Sequence, residues 1–125
     1  MIKKETIYIA GPMRGYEDFN YPAFHEAERI LASIGWDVVN PAKMDEEELD
    51  KKEGVDPLTF DPHESHEDQD TLRTLLARDL LAIAEKCTAI YMLDGWEKSR
   101  GALAEWHLAK ALGIKIYYEP RYPHV

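Results

Sequence analysis

Two short loops, Tyr8-Ile-Ala-Gly-Pro-Met-Arg-Gly15 and Ser99-Arg-Gly-Ala-Leu-Ala-Glu105, hold most of the groups in this chain that are able to do chemistry on a small anionic molecule. Glu105 offers a carboxylate to attack or stabilise an electron-poor carbon, and Tyr8 a phenol to orient it. Arg14 and Ser99 offer a cation and a hydroxyl suited to a phosphate, with a helix amino terminus beginning at Ser99 or Arg100. Each loop follows an apolar run that reads as a buried strand and precedes a helix. In an open α/β sheet that puts both at the carboxyl edge, where ligands bind.

Each residue also has a plainer reading. Tyr8 alternates with Ile7 and Ile9 as a core filler would, Arg14 suits a solvated loop, and Ser99 suits a helix N-cap. Glu105 lies on the flank of a helix stripe made by Ala102, Trp106 and Ala109, where a glutamate gains from the macrodipole alone. Asp79 projects into an apolar stripe of Leu72, Leu76, Leu80, Ile83 and Cys87, and an unpartnered buried carboxylate is costly. It must pair with a structural arginine such as Arg78 or Arg73, or line a polar pocket. The argument for a site is that all five fall where a parallel sheet gathers its loops.

The elements that position them follow from periodicity and breakers. Residues 5–10 read as a first strand stopped by Gly11-Pro12, and 21–33 as a helix with Asn20 as N-cap, Pro22 in its first turn, and Phe24, Ala27, Ile30, Leu31 and Ile34 at helical spacing. Residues 36–39 read as a strand closed by Asn40-Pro41. Residues 71–86 form a helix, 88–93 a strand, 99–112 a helix closed by Gly113, and 114–118 a last strand. This β-α-β, insertion, α-β-α-β order predicts a single α/β domain over 1–125: a flavodoxin-like (Rossmann-like) three-layer sandwich with a mostly parallel sheet of four to five strands. The acidic stretch at about 43–68 breaks the pattern and reads as a mobile, solvent-exposed insertion with a short helix around 45–52.

Composition narrows the function. The net charge of −9 argues against a nucleic-acid surface, but residues 41–70 carry twelve of the 24 acidic residues against three lysines, so the remainder is neutral enough to hold an anion. The start of the chain and the lack of a long apolar run predict a cytoplasmic protein with no membrane partner. Cys87 is the only cysteine and reads as a small core hydrophobe. His63, His66, His25, His107 and His124 lack metal-site spacing, so no metal is expected. The Gly11–Gly15 loop is neither a P-loop nor a dinucleotide fingerprint.

At the level of motif, Ile7-Tyr-Ile-Ala-Gly-Pro12 resembles the first-strand motif of the nucleoside 2′-deoxyribosyltransferase-like superfamily. Gly101-Ala-Leu-Ala-Glu105 is similar to its segment bearing the catalytic glutamate, and Asp79 to its aspartate ahead of the third strand. Gly-Pro-Met-Arg-Gly and Ser-Arg-Gly-Ala also resemble a small phage and bacterial branch of the superfamily. The resemblance implies cleavage of an N-glycosidic bond, by hydrolysis or deoxyribosyl transfer, with Glu105 attacking C1′, Tyr8 orienting it and Asp79 assisting at base or sugar. It further implies that Gly11, Met13, Arg14, Gly15, Ser99 and Gly101 bind substrate, with Arg14 and Ser99 on the phosphate of a deoxynucleoside 5′-monophosphate, and that no cofactor takes part. The alternative is a nucleotide-binding sensor using the same pocket without catalysis. A homo-oligomer, dimer or tetramer, is expected, with Trp106, Leu108, Tyr117, Tyr118 and Tyr122 as interface candidates.

Overall fold

A computed structural model describes the backbone of residues 5–50 and 66–120, and side chains over 5–47 and 72–120. The elements follow in the order β1 (Thr6–Ala10), α1 (Tyr21–Ser33), β2 (Asp37–Val39), α2 (Pro41–Asp50), α3 (His66–Lys86), β3 (Ala89–Met92), α4 (Arg100–Leu112) and β4 (Lys115–Tyr118). The four strands form one parallel sheet in the order β2-β1-β3-β4, with Tyr8 opposite Val39 on one side and Ile90 on the other. The fold is the expected α/β, flavodoxin-like three-layer sandwich.

Strand alternation divides the core. Ile7, Ile9 and Ala89 turn to one face and meet Tyr21, Phe24, Ala27 and Leu31 of α1. Tyr8, Ala10, Ile90 and Met92 turn to the other and meet Ile83 of α3 with Ala102 and Ala109 of α4. Tyr8 therefore lies on the face covered by α3 and α4, fully buried in the central strand pair. The chain leaves β1 for β2 on one side and later reaches β3 on the other, so the carboxyl end of β1 is the topological switch point of the sheet.

Several expected core positions are corrected. Ile30 of α1 and Ile34, the residue that ends it, are exposed, Ile34 to 69 %, because they sit past the arc that meets the sheet. On α3, Leu72 is 40 % exposed while Leu75 is buried, so the helix is rotated from the stripe its leucines suggested. α3 also begins five residues before Thr71.

The connection after β1 is tight. A Cβ on Gly11 would stand 2.7 Å from the Cβ of Leu93, so only glycine lets the ends of β1 and β3 close together. After Leu93, Gly95 takes φ of 86°, and a Cβ there would meet the Tyr16 hydroxyl at 2.7 Å. Between them Asp18, Phe19 and Asn20 all hold positive φ. Asn20 stands at the N-cap position of α1, but its amide Nδ2 donates to the Pro12 carbonyl at 2.9 Å rather than capping the helix.

Candidate active site

A cavity of about 600 Å³ opens at this switch point, between the loop after β1, the start of α4, and the facing sides of α2 and α3. Its floor is ionisable. The Tyr8 hydroxyl donates a hydrogen bond to Oε2 of Glu105 across the junction of β1 and α4. Glu105 is 5 % exposed. The flank position expected for it is corrected: the buried residues of α4 are Ala102, Glu105 and Ala109, so the glutamate belongs to the inward stripe. Burial above all, then the neighbouring Asp79 charge, pushes the Glu105 carboxyl well above the usual carboxylate range; the Tyr8 hydrogen bond opposes this without offsetting it. Burial and the Glu105 charge likewise push the Tyr8 phenol up.

Both alternatives for Asp79 hold at once. It lines the cavity, and its Oδ1 accepts from Arg78 Nε at 3.0 Å and Nη2 at 2.6 Å. Burial raises the Asp79 carboxyl, while Arg78, by its charge and its hydrogen bonds, pulls it down. The same Arg78 Nη2 lies 2.5 Å from Oδ1 of Asp45.

Asp45 is the site residue that sequence reasoning missed. It is 8 % exposed and lines the same cavity, and burial pushes its carboxyl up to about 6. The signal lay in Asn40-Pro41, read from sequence as the end of a strand. Asn40 Oδ1 accepts from the Ala42 amide at 3.0 Å, the N-cap of a helix with proline in its first position. With α2 begun at Pro41, Ala42 and Asp45 fall on its inner side and are buried. The start of the stretch expected as a solvent-exposed insertion is therefore packed into the site; residues 51–65 of that stretch lie outside the described residues.

The mouth is cationic. Gly11, Met13, Arg14, Gly15, Ser99 and Gly101 all line the cavity, joined by Lys98 and Arg100. Ser99 is the N-cap of α4, its hydroxyl oxygen accepting from the Ala102 amide at 3.1 Å, so its plainer reading holds while its proton is left to donate. Arg14 is exposed. The remaining wall, with Tyr16, Phe19, Tyr21, Leu75 and Leu76, is largely apolar, as small-molecule pockets generally are.

Other candidates are placed elsewhere. His25 pairs with Glu46 at 2.8 Å and with Asn40 at 3.2 Å; His63 and His124 lie outside the described residues, as does Tyr122. Among the described residues no three or more His, Cys, Asp or Glu side chains are grouped to hold a metal ion. Trp106 stacks on Trp96 at 5.5 Å and donates from its indole nitrogen to the Tyr118 hydroxyl at 3.0 Å, a cluster beyond the cavity. Cys87 is buried, and burial pushes its thiol up to about 11. Among the described residues no helix is long and apolar enough to cross a membrane.

The model of a domain of unknown function (DUF4406) matches residues 5–57 and 62–118, a span that includes every site residue named above. No curated protein matches the chain.

Proposed function

We propose, for a chain that belongs to the DUF4406 family, that the cavity cleaves the N-glycosidic bond of a deoxynucleoside 5′-monophosphate, or of a nucleoside, by hydrolysis or deoxyribosyl transfer. The observation that carries this reading is the buried Tyr8–Glu105 pair facing Asp79 across one cavity with a cationic mouth. The phosphate lies at Arg14, the Ser99 hydroxyl and the first amides of α4, and the base lies against Tyr16 and Phe19. That span sets C1′ over the floor.

As the C1′–N bond breaks, its electron pair leaves on the base nitrogen and positive charge grows on the sugar. Asp79 and Glu105, both raised by burial, hold one proton between them, and Asp79 passes it to the departing base, which leaves Glu105 as the carboxylate. Glu105, oriented by Tyr8, stabilises the cation as a carboxylate or closes on C1′ as an ester. Water then bonds to C1′, returns a proton to Asp79 and leaves as the hydroxyl of the freed sugar phosphate, or of the free sugar where the substrate is a nucleoside; a second base in place of water gives up its own proton and re-forms the N-glycosidic bond. A neighbouring copy of the chain that narrows the open side of the cavity fits this reading.

The upward shift of Glu105 favours a second reading. A carboxyl held neutral donates a hydrogen bond but does not attack carbon, so the same cavity would bind a nucleotide as a sensor. Incubation with individual deoxynucleoside monophosphates, monitored for free base by chromatography, decides between them. Base release that depends on Glu105 supports cleavage, and tight binding without release supports the sensor. Addition of a second base then separates transfer from hydrolysis.

A further inference from the structure

We propose that Arg78, which does not itself line the cavity, is the positioning residue of the site, a single guanidinium that locks Asp45 of α2 and Asp79 of α3 into one acidic floor. Its Nη2 reaches Oδ1 of both aspartates, at 2.5 Å and 2.6 Å, and its Nε returns to Asp79 at 3.0 Å. The side chain is largely covered, and its Nη1 is buried without a hydrogen-bond partner among the described residues. A donor left unpaired in the interior is costly, so the guanidinium is held where it is by the two carboxylates rather than by its own satisfaction.

The geometry has two consequences. Three carboxyls, Asp45, Asp79 and Glu105, line one cavity, and Arg78 is the cation that acts on all three. It is also the link by which α2, whose inner side presents Pro41, Ala42 and Asp45, is tied to α3. Lysine keeps the charge at Arg78 but loses the planar fork that reaches two acceptors. Methionine keeps the stem and loses both.

The groups facing these carboxyls come from every neighbouring element. Asp45 meets Arg78 and Asp79 of α3, Tyr21 of α1 and Glu46 of its own helix. Asp79 meets Arg78 and Tyr8, and Glu105 meets Tyr8, Asp79, Asp45 and Arg78. Arg78 is the one cation in that set. Its loss therefore moves the titrations of Asp45 and Asp79 upward.

The test follows carboxyl ¹³C shifts of Asp45 and Asp79 against pH, with amide exchange over 42–47, in the ligand-free wild type, Arg78→Lys and Arg78→Met. The expected result is an upward move of both aspartates by a unit or more in Arg78→Met, a smaller move in Arg78→Lys, and at least tenfold faster exchange in α2 in both, with exchange in β1 and β3 unchanged. Unmoved aspartate titrations in a folded Arg78→Lys or Arg78→Met protein overturn the proposal, as does unaltered exchange in α2. If Arg78→Met fails to fold, Arg78→Lys decides on the same two readouts. These measurements need no substrate, so they stand apart from the proposed reaction. Only an activity arm rests on that reading: there Arg78→Lys lowers kcat and shifts the pH profile upward while leaving KM nearly unchanged, and absence of base release by the wild type counts against the reaction and not against Arg78.

Discussion

The floor and the mouth of the cavity are built on opposite physical terms. At the floor Tyr8, Asp45, Asp79 and Glu105 are withdrawn from water, and the three carboxyls are raised by burial against one guanidinium. At the mouth Arg14, Lys98 and Arg100 are exposed, and Ser99 serves the helix behind it. Charge in a low-dielectric floor interacts strongly and costs stability, whereas charge at a wet mouth is screened and costs little. On the proposed reading, reactivity belongs to the first region and affinity to the second.

The largest expected effect falls on the floor. Glu105→Gln keeps the shape of the side chain and removes the charge, so base release drops roughly a thousandfold or more while nucleotide affinity stays within a few-fold. Single-turnover assays beside calorimetric titration measure the two separately. Wild-type-like release would remove Glu105 from the reaction and erase the contrast between floor and mouth.

The next effect concerns the cost of burying charge. The Asp45 carboxyl rises from 3.8 to about 6 on folding, so the native state binds its proton more tightly than the unfolded chain does. The associated stability is fully present below pH 3.8, falls as pH rises, and is lost above about 6, a change of roughly 3 kcal/mol at 1.36 kcal/mol per unit. Asp45→Asn should flatten the decline of unfolding free energy between pH 4 and 7, read from denaturant melts at each pH. A decline of undiminished slope in this variant would place the cost on other carboxyls.

The mouth was the more legible region from sequence, and the reason is physical. Glycine, proline and an N-capping serine impose local backbone geometry, so Gly11 and Ser99 announce their turns at the mouth, and Gly113 likewise closes α4 at its far end. The floor depends on contacts far apart in the chain. That Tyr8 meets Glu105 is fixed by which strands become neighbours, and the topology supplies what spacing alone does not. Asp45 was hidden in a run of acidic residues whose composition reads as solvated, although the Asn40-Pro41 cap ahead of it carried the helix phase that turns it inward. Leu72 and Leu75 show the same limit: the leucines of α3 surround the helix, and only its seat on the sheet selects the buried one.

Smaller effects are expected at the mouth. Arg14→Ala removes one charge-assisted contact worth about 1.5–3 kcal/mol, so a 5′-monophosphate should bind roughly ten- to a hundredfold more weakly while the matching nucleoside is nearly unaffected. Calorimetry of both ligands against both proteins measures the difference. Equal losses would assign Arg14 to the sugar or to the fold and leave the mouth without a phosphate role.

The smallest and most discriminating prediction concerns Ser99, because its hydroxyl has two possible employments. As an acceptor it caps α4 through the Ala102 amide, and as a donor it is free to meet a phosphate oxygen in the same rotamer. Alanine loses the cap and costs about 1 kcal/mol of stability, whereas glycine at an N-cap costs only a few tenths. Ser99→Ala and Ser99→Gly should therefore differ in thermal stability yet weaken 5′-monophosphate binding alike, by about three- to tenfold for one lost hydrogen bond. Should binding instead follow stability, with the glycine variant near wild type and only the alanine variant impaired, the hydroxyl serves the helix alone. Phosphate affinity would then rest on Arg14 and the amides of α4, and the mouth would work by backbone and charge without a side-chain hydroxyl.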